Sequence, residues 1–123
     1  MKSVYREAQR RALTNGAKYH VACILFRKRK PIRIGVNSDK THPRFRRIAL
    51  DGSEVCTLHA EMSVLRHARK GDRIEVLRFL KCGSLTMACP CVHCRKFIRE
   101  QNVCDVRYTD WDGEWSQLAW DIE

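Results

Sequence analysis

Two stretches decide the reading of this chain: Cys56-Thr57-Leu58-His59-Ala60-Glu61-Met62 and Cys89-Pro90-Cys91-Val92-His93-Cys94. Leu58, Met62, Leu65 and Ala68 recur at helical spacing, and Gly71 stands where a left-handed cap would close the segment, so a helix is expected over 56–70. Pro90 suits a helix start, and a second helix is expected over 91–101. In a first helical turn Cys91 and Cys94, three apart, put both sulfurs on one side, within reach of one ion. The free amides and dipole of a helix start favour thiolate there. Glu61, two residues past His59, would point about 200° away from it in mid-helix. Both can serve one centre only if His59 stands at the helix entrance.

A lone C-x-x-C also suits a redox pair, and Cys89, Cys91 and Cys94 with His93 or Cys104 could close a structural zinc site. Neither accounts for a histidine and a glutamate two apart opening an upstream helix.

His59-x-Glu61 followed by Pro90-Cys91-x-x-Cys94 is the pattern by which the chain resembles the cytidine deaminase-like superfamily of zinc-dependent deaminases. The order of elements agrees over most of the chain. The resemblance implies an α/β fold, a three-layer α/β/α sandwich with a mixed central sheet, and a metal at two helix N-termini. It implies Zn2+ held by His59, Cys91 and Cys94, with the fourth position open to water as in a catalytic site. Glu61 would be the general acid and base. Asn37 is similar to the family's asparagine near the substrate's sugar or base, and Asp39 falls where cytidine deaminases carry a sugar-binding glutamate. Ala60 and the backbone beside Cys91 correspond to positions that meet the pyrimidine edge. Histidine at 59 is more similar to deoxycytidylate, transfer-RNA adenosine and polynucleotide cytosine deaminases than to the tetrameric cytidine deaminases, which use cysteine. Relatives usually assemble, so a homo-oligomer is expected.

Working outward, residues 3–15 read as a helix with Val4, Ala8 and Ala12 on one face. The apolar run 20–26 and the alternating 32–36 read as a hairpin around a charged turn. Residues 37–54 show no sustained periodicity and read as a long loop, a candidate wall of a binding site. A short extended piece is expected over 74–80, a core strand over 84–87 and another strand over 103–108. Asp112-Gly113 signals a turn, with 115–120 returning as an antiparallel edge strand, the ending of cytidine deaminases rather than of deoxycytidylate deaminases.

The 123 residues fit one domain, 1–123. The charge of +10 is concentrated in the first 50 residues, which attracts phosphate-bearing partners. Arg44, Arg46 and Arg47 in the long loop, and the run Arg27, Lys28, Arg29, Lys30, are the candidate phosphate contacts. An odd cysteine count of seven and the absence of a secretory pattern point to the cytoplasm. No apolar stretch is long enough for a membrane span. The expected substrate is therefore a phosphate-bearing cytosine, converted to uracil in a deoxycytidylate- or cytidylate-type nucleotide. The alternatives are a cytosine deaminase acting on single-stranded DNA or RNA, with His42, Phe45, Trp111 and Trp115 as stacking platforms, and a catalytically inactive zinc-stabilised nucleic-acid-binding module. A further metal site drawing on His20, Cys23, Cys82 and Cys89 stays open.

Overall fold

The computed structural model describes residues 3–41, 47–48, 54–55, 57–90, 92–103 and 105–118, and the side chains of 3–38, 59–90, 94–103 and 105–118. Val4, Ala8 and Ala12 lie one turn apart, and their segment forms helix α1, Ser3–Leu13, with Ala8 and Ala12 fully buried. The apolar run that follows is strand β1, His20–Arg27, paired antiparallel with β2, Lys30–Val36. Lys28 and Arg29 make the two-residue turn with φ of 50° and 69°. This left-handed geometry matches the twist of a hairpin but usually calls for asparagine or glycine. The register slips between Leu25 and Phe26, opposite Pro31, whose nitrogen has no proton to donate.

The stretch expected to be one irregular loop carries short extended pieces: β3, Ser38–Thr41; β4, Arg47–Ile48; β5, Glu54–Val55; and β6, Thr57–Leu58. β3 pairs with β6 and β4 with β5, both antiparallel. This changes the next element as well. Thr57 and Leu58 belong to a strand, and helix α2 runs only over Ala60–Leu65, not 56–70. At its end His67 and Ala68 donate to Val64 and Leu65, three residues back, so the last turn tightens and stops. Arg27 holds the loop that follows, through two hydrogen bonds to Asp72 at 3.0 and 2.9 Å and one to the His67 carbonyl at 3.0 Å.

The charged segment beyond it is strand β7, Arg73–Phe79, with β8, Leu85–Thr86, against its end. Helix α3, Val92–Glu100, leads to β9, Asp105–Thr109, and β10, Trp115–Gln117. The strand order is β10-β9-β7-β1-β2, with β8 beside β7. β9 is parallel to β7 and the other pairs are antiparallel, giving the expected mixed sheet and the expected antiparallel return. The weights of two elements are reversed: 73–79 is the central strand, and 84–87 supplies only a two-residue piece at its end. Charged residues hid this. Glu75 is buried in the sheet, yet it accepts the Tyr5 hydroxyl at 2.6 Å and pairs with Arg73 at 3.0 Å. Burial first, then the bond to Glu75, pushes the Tyr5 phenol up to about 12.

Alternation along the strands makes two cores. Ala22, Ile24, Phe26, Leu77 and Phe79 meet Ala8 and Ala12 of α1 on one face. Cys23, Leu25, Ile74, Val76 and Val106 meet Ala60, Val64, Leu65 and Ile98 of α2 and α3 on the other. These are the three layers expected. Among the described residues no helix is long and apolar enough to cross a membrane.

Gly35 lets α2 lie against the hairpin. A Cβ there would stand 1.7 Å from Ser63 Oγ, 2.8 Å from Val64 Cγ1 and 3.0 Å from the Ala60 carbonyl oxygen. Gly35→Ala is expected to cost about 1–3 kcal/mol by overpacking, and a denaturant midpoint equal to that of the native chain would refute this close packing. Burial would raise the Asp72 carboxyl, but the hydrogen bonds from Arg27 and the Arg69 backbone outweigh it and hold it below the ordinary 3.8. A lowered carboxylate stabilises the fold above its unfolded value, and that contribution is lost as pH falls through the folded value. Asp72→Asn should therefore lower the melting temperature at pH 7 and narrow its gap to the native chain on acidification below about 4; a gap constant with pH would exclude the ion pair as its source.

Candidate active site

His59 sits between β6 and α2 with extended backbone, φ −85° and ψ 154°, and its carbonyl accepts the Ser63 amide at 3.2 Å. It is the N-cap of α2, and its side chain makes no cap hydrogen bond, leaving the ring directed elsewhere. Glu61 lies in the first turn of α2. The helix-entrance placement that the spacing demanded is thus realised: an extended residue and a helical one two apart turn to the same side. Cys94 lies in the first turn of α3 and is fully buried.

The two helix starts meet. His59 Nδ1 is 3.0 Å from Cys94 Sγ, and donor atoms of His59, Glu61 and Cys94 all lie within 4.8 Å of one another. Glu61 is 5% exposed, so a carboxylate is held close to an imidazole and a thiol out of bulk water. Its charge is felt behind it: the Cys23 thiol is pushed well above its ordinary range by burial, with Glu61 and Glu75 adding to the effect. Imidazole nitrogen with thiolate sulfur is a donor set suited to zinc. His59 and Cys94 fit that ion, and Cys91, three residues before Cys94, belongs to the same motif but lies outside the described residues. Bound there, the ion would supply Lewis-acid chemistry beside a carboxylate.

The site opens into a cavity of about 340 Å³, within the range of small-ligand pockets. His59, Ala60, Glu61 and Cys89 line it, with Tyr19, Asn37 and Arg78 also among the lining residues. Asn37 is also a structural clamp: its Oδ1 accepts the Val21 amide at 2.9 Å and Asn15 Nδ2 at 2.7 Å, and its Nδ2 donates to the Tyr19 carbonyl at 3.0 Å. That amide fixes the cavity rim where the chain enters β1.

The sequence-derived residues divide accordingly. His59, Ala60, Glu61 and Asn37 line the cavity, and Cys94 joins His59 and Glu61. Arg44 and Arg46 lie outside the described residues, as do the side chains of Asp39 and Arg47. Among the described residues His59, Glu61 and Cys94 are the one group of three metal-donor side chains, and Cys23 is instead packed in the core. Sequence reasoning missed Tyr19 and Arg78. The available signal was the strand pattern, in which Arg78 takes the inward place after Ile74 and Val76.

With this geometry in place, the comparisons with known proteins decide the family. The model of the cytidine and deoxycytidylate deaminase zinc-binding region matches residues 1–109. The chain belongs to this family. Among solved structures, the deaminase chain is similar to the dCMP deaminase from the cyanophage S-TIM5, solved in complex with dCMP and dUMP. The two share 20% identity over 90% of this chain and 85% of that one, with a TM-score of 0.52. At that identity the likeness speaks for the deaminase fold. None of the curated proteins compared with the chain matches it.

As a member of this zinc-binding family, the purified chain should carry about one zinc ion. His59→Ala and Cys94→Ala should each remove most of it; undiminished zinc in both variants by elemental analysis would show that the ion is held elsewhere.

Proposed function

We propose that the chain is a zinc-dependent hydrolytic deaminase that converts cytosine to uracil in a deoxycytidylate- or cytidylate-type nucleotide, with His59, Cys91 and Cys94 as zinc ligands and Glu61 as the proton carrier. What supports this reading is the convergence of His59, Glu61 and Cys94 within 4.8 Å at the wall of a cavity sized for a small ligand, in a chain of the deaminase family.

Zinc at this site would supply a water acidified to a pKa of roughly 7. Glu61 then does the proton work. Its carboxylate takes the proton released as the water oxygen bonds to C4 of the base and passes it to N3. It then takes the remaining proton from that oxygen, as the C4 carbonyl forms, and delivers it to the amine as the C4–N bond breaks and ammonia departs. This role needs a carboxylate beside the metal ligands and sheltered from water, the position Glu61 occupies. Ala60, 1% exposed against the cavity, would meet the pyrimidine edge, and the Asn37 amide would stand near the sugar; Asp39, Arg44 and Arg46 are the further substrate-binding residues of this reading.

The single-strand reading has one observation in its favour. Trp111 is 72% exposed and Trp115 44%, so neither is consumed by the core. Neither lines the cavity, however, and Trp115 lies against Tyr5 of α1, with ring centres 5.9 Å apart, on the sheet face opposite His59. The nucleotide reading is therefore preferred.

Glu61→Gln should keep its zinc and lose about 10²–10⁴-fold in turnover; deamination at the native rate would remove Glu61 from the mechanism. Ammonia release from dCMP, CMP, deoxycytidine and a cytosine-containing single strand separates the substrate classes, and the nucleotide reading requires a mononucleotide to be best.

A further inference from the structure

Arg78 is out of place by the logic of the sheet. It follows Ile74 and Val76 on the face of β7 that meets α2 and α3, and its register partner on β1 is Val21, which packs against the same core. At that inward position the strand carries a guanidinium. Burial of a cation is costly unless it is paired. Half-buried Arg78 makes no ion pair or hydrogen bond among the described residues. Its contact is with the Tyr19 ring, whose centre lies 5.0 Å from the guanidinium carbon, and Lys18 Nζ lies 5.6 Å from the centre of the same ring. Two cations thus gather on one aromatic ring, and both Arg78 and Tyr19 line the cavity that holds His59 and Glu61.

The rim bearing them is held in place. The Tyr19 carbonyl accepts from Asn15 at 3.1 Å and from Asn37 at 3.0 Å, and His20 Nδ1 lies 2.9 Å from the Ala12 carbonyl oxygen at the end of α1. Tyr19 keeps 53% of its surface exposed, so the ring projects from a fixed backbone. A site prepared in this way for negative charge need not order a loop on binding. A guanidinium offers two parallel N–H donors to a phosphate, whereas an ammonium offers a point charge.

We propose that Arg78, positioned by Tyr19 and supported by the charge of Lys18, is the residue that binds the phosphate of the nucleotide substrate and so sets the preference for a nucleotide over a nucleoside. The proposal rests on the deaminase reading above for the identity of the base. Its ligand chemistry is a phosphomonoester entering the cavity with the base directed toward His59 and Glu61.

The test compares zinc-loaded native chain with Arg78→Met and Arg78→Lys. The ratio of kcat/KM for dCMP to that for deoxycytidine should fall at least tenfold in Arg78→Met and recover in part in Arg78→Lys. An unmoved ratio overturns the proposal, including the case in which both substrates lose the same factor. A second measurement does not depend on the base. Titration with inorganic phosphate, followed by NMR shifts of residues 18–21, should saturate in the native chain and weaken tenfold or more in Arg78→Met. Equal affinity in the two proteins, or no saturable binding to the native chain, also overturns it. If the native chain deaminates no cytosine substrate while phosphate binding still depends on Arg78, the deaminase reading has failed and the anion subsite stands.

Discussion

The approach of His59 Nδ1 to Cys94 Sγ at 3.0 Å is the constraint around which the fold is arranged. The two residues are 35 positions apart, and between them the chain must build α2, cross the sheet in β7 and return. Both helix starts have to meet on the same face of the sheet. Gly35 allows this on one side by letting α2 settle on β2 without a side chain between them. On the other side the parallel pairing of β9 with β7 requires a crossover, and α3 fills it with Cys94 at its entrance. The start of α2 at Ala60 follows from the same demand, since an imidazole two residues before a carboxylate reaches the same centre only from an extended cap.

Polar groups placed against the pattern of the sheet have separate explanations on its two faces. On the α1 side Glu75 is satisfied by Tyr5 and Arg73, which closes that charge off structurally. On the α2 and α3 side Glu61 stands with metal donors, and Arg78 stands at the cavity with an aromatic ring as its neighbour. A buried charge with protein partners stabilises a fold, whereas one facing a cavity is available to a ligand. The division between structure and chemistry in this molecule therefore runs along the faces of β7.

The helix–hairpin opening, the two motif starts and the antiparallel ending were legible because each has a local cause: alanines one turn apart, an alternating return after a charged turn, proline before a helix, Asp112-Gly113 at a turn. The length of α2 was not. Leu58 keeps helical spacing with Met62 and Leu65, yet Thr57 and Leu58 pair with β3, a distant partner that periodicity does not register. The central place of β7 was hidden by Arg73, Glu75 and Arg78, whose partners lie on α1, beside them on the strand, or at the entrance of the neighbouring strand β1. Within the site, His59, Glu61 and Cys94 were readable from spacing and likeness, while Tyr19 and Arg78 were not, because their adjacency is made only by the register of β1 with β7.

The interruption of the site by the sheet's central strand has a kinetic consequence. The β1–β2 hairpin closes a two-residue turn and can form early, but β7 must dock beside β1 across more than 40 residues of chain, at a larger entropic cost. His59 lies before that docking step in sequence, and Cys94 after it. Neither half holds His59, Glu61 and Cys94 together, so this group of donor side chains is brought together only after the sheet has been assembled around β7. An ion that prefers the assembled group would act as a latch on the last stage of folding, slowing the opening of a structure whose formation it did not guide.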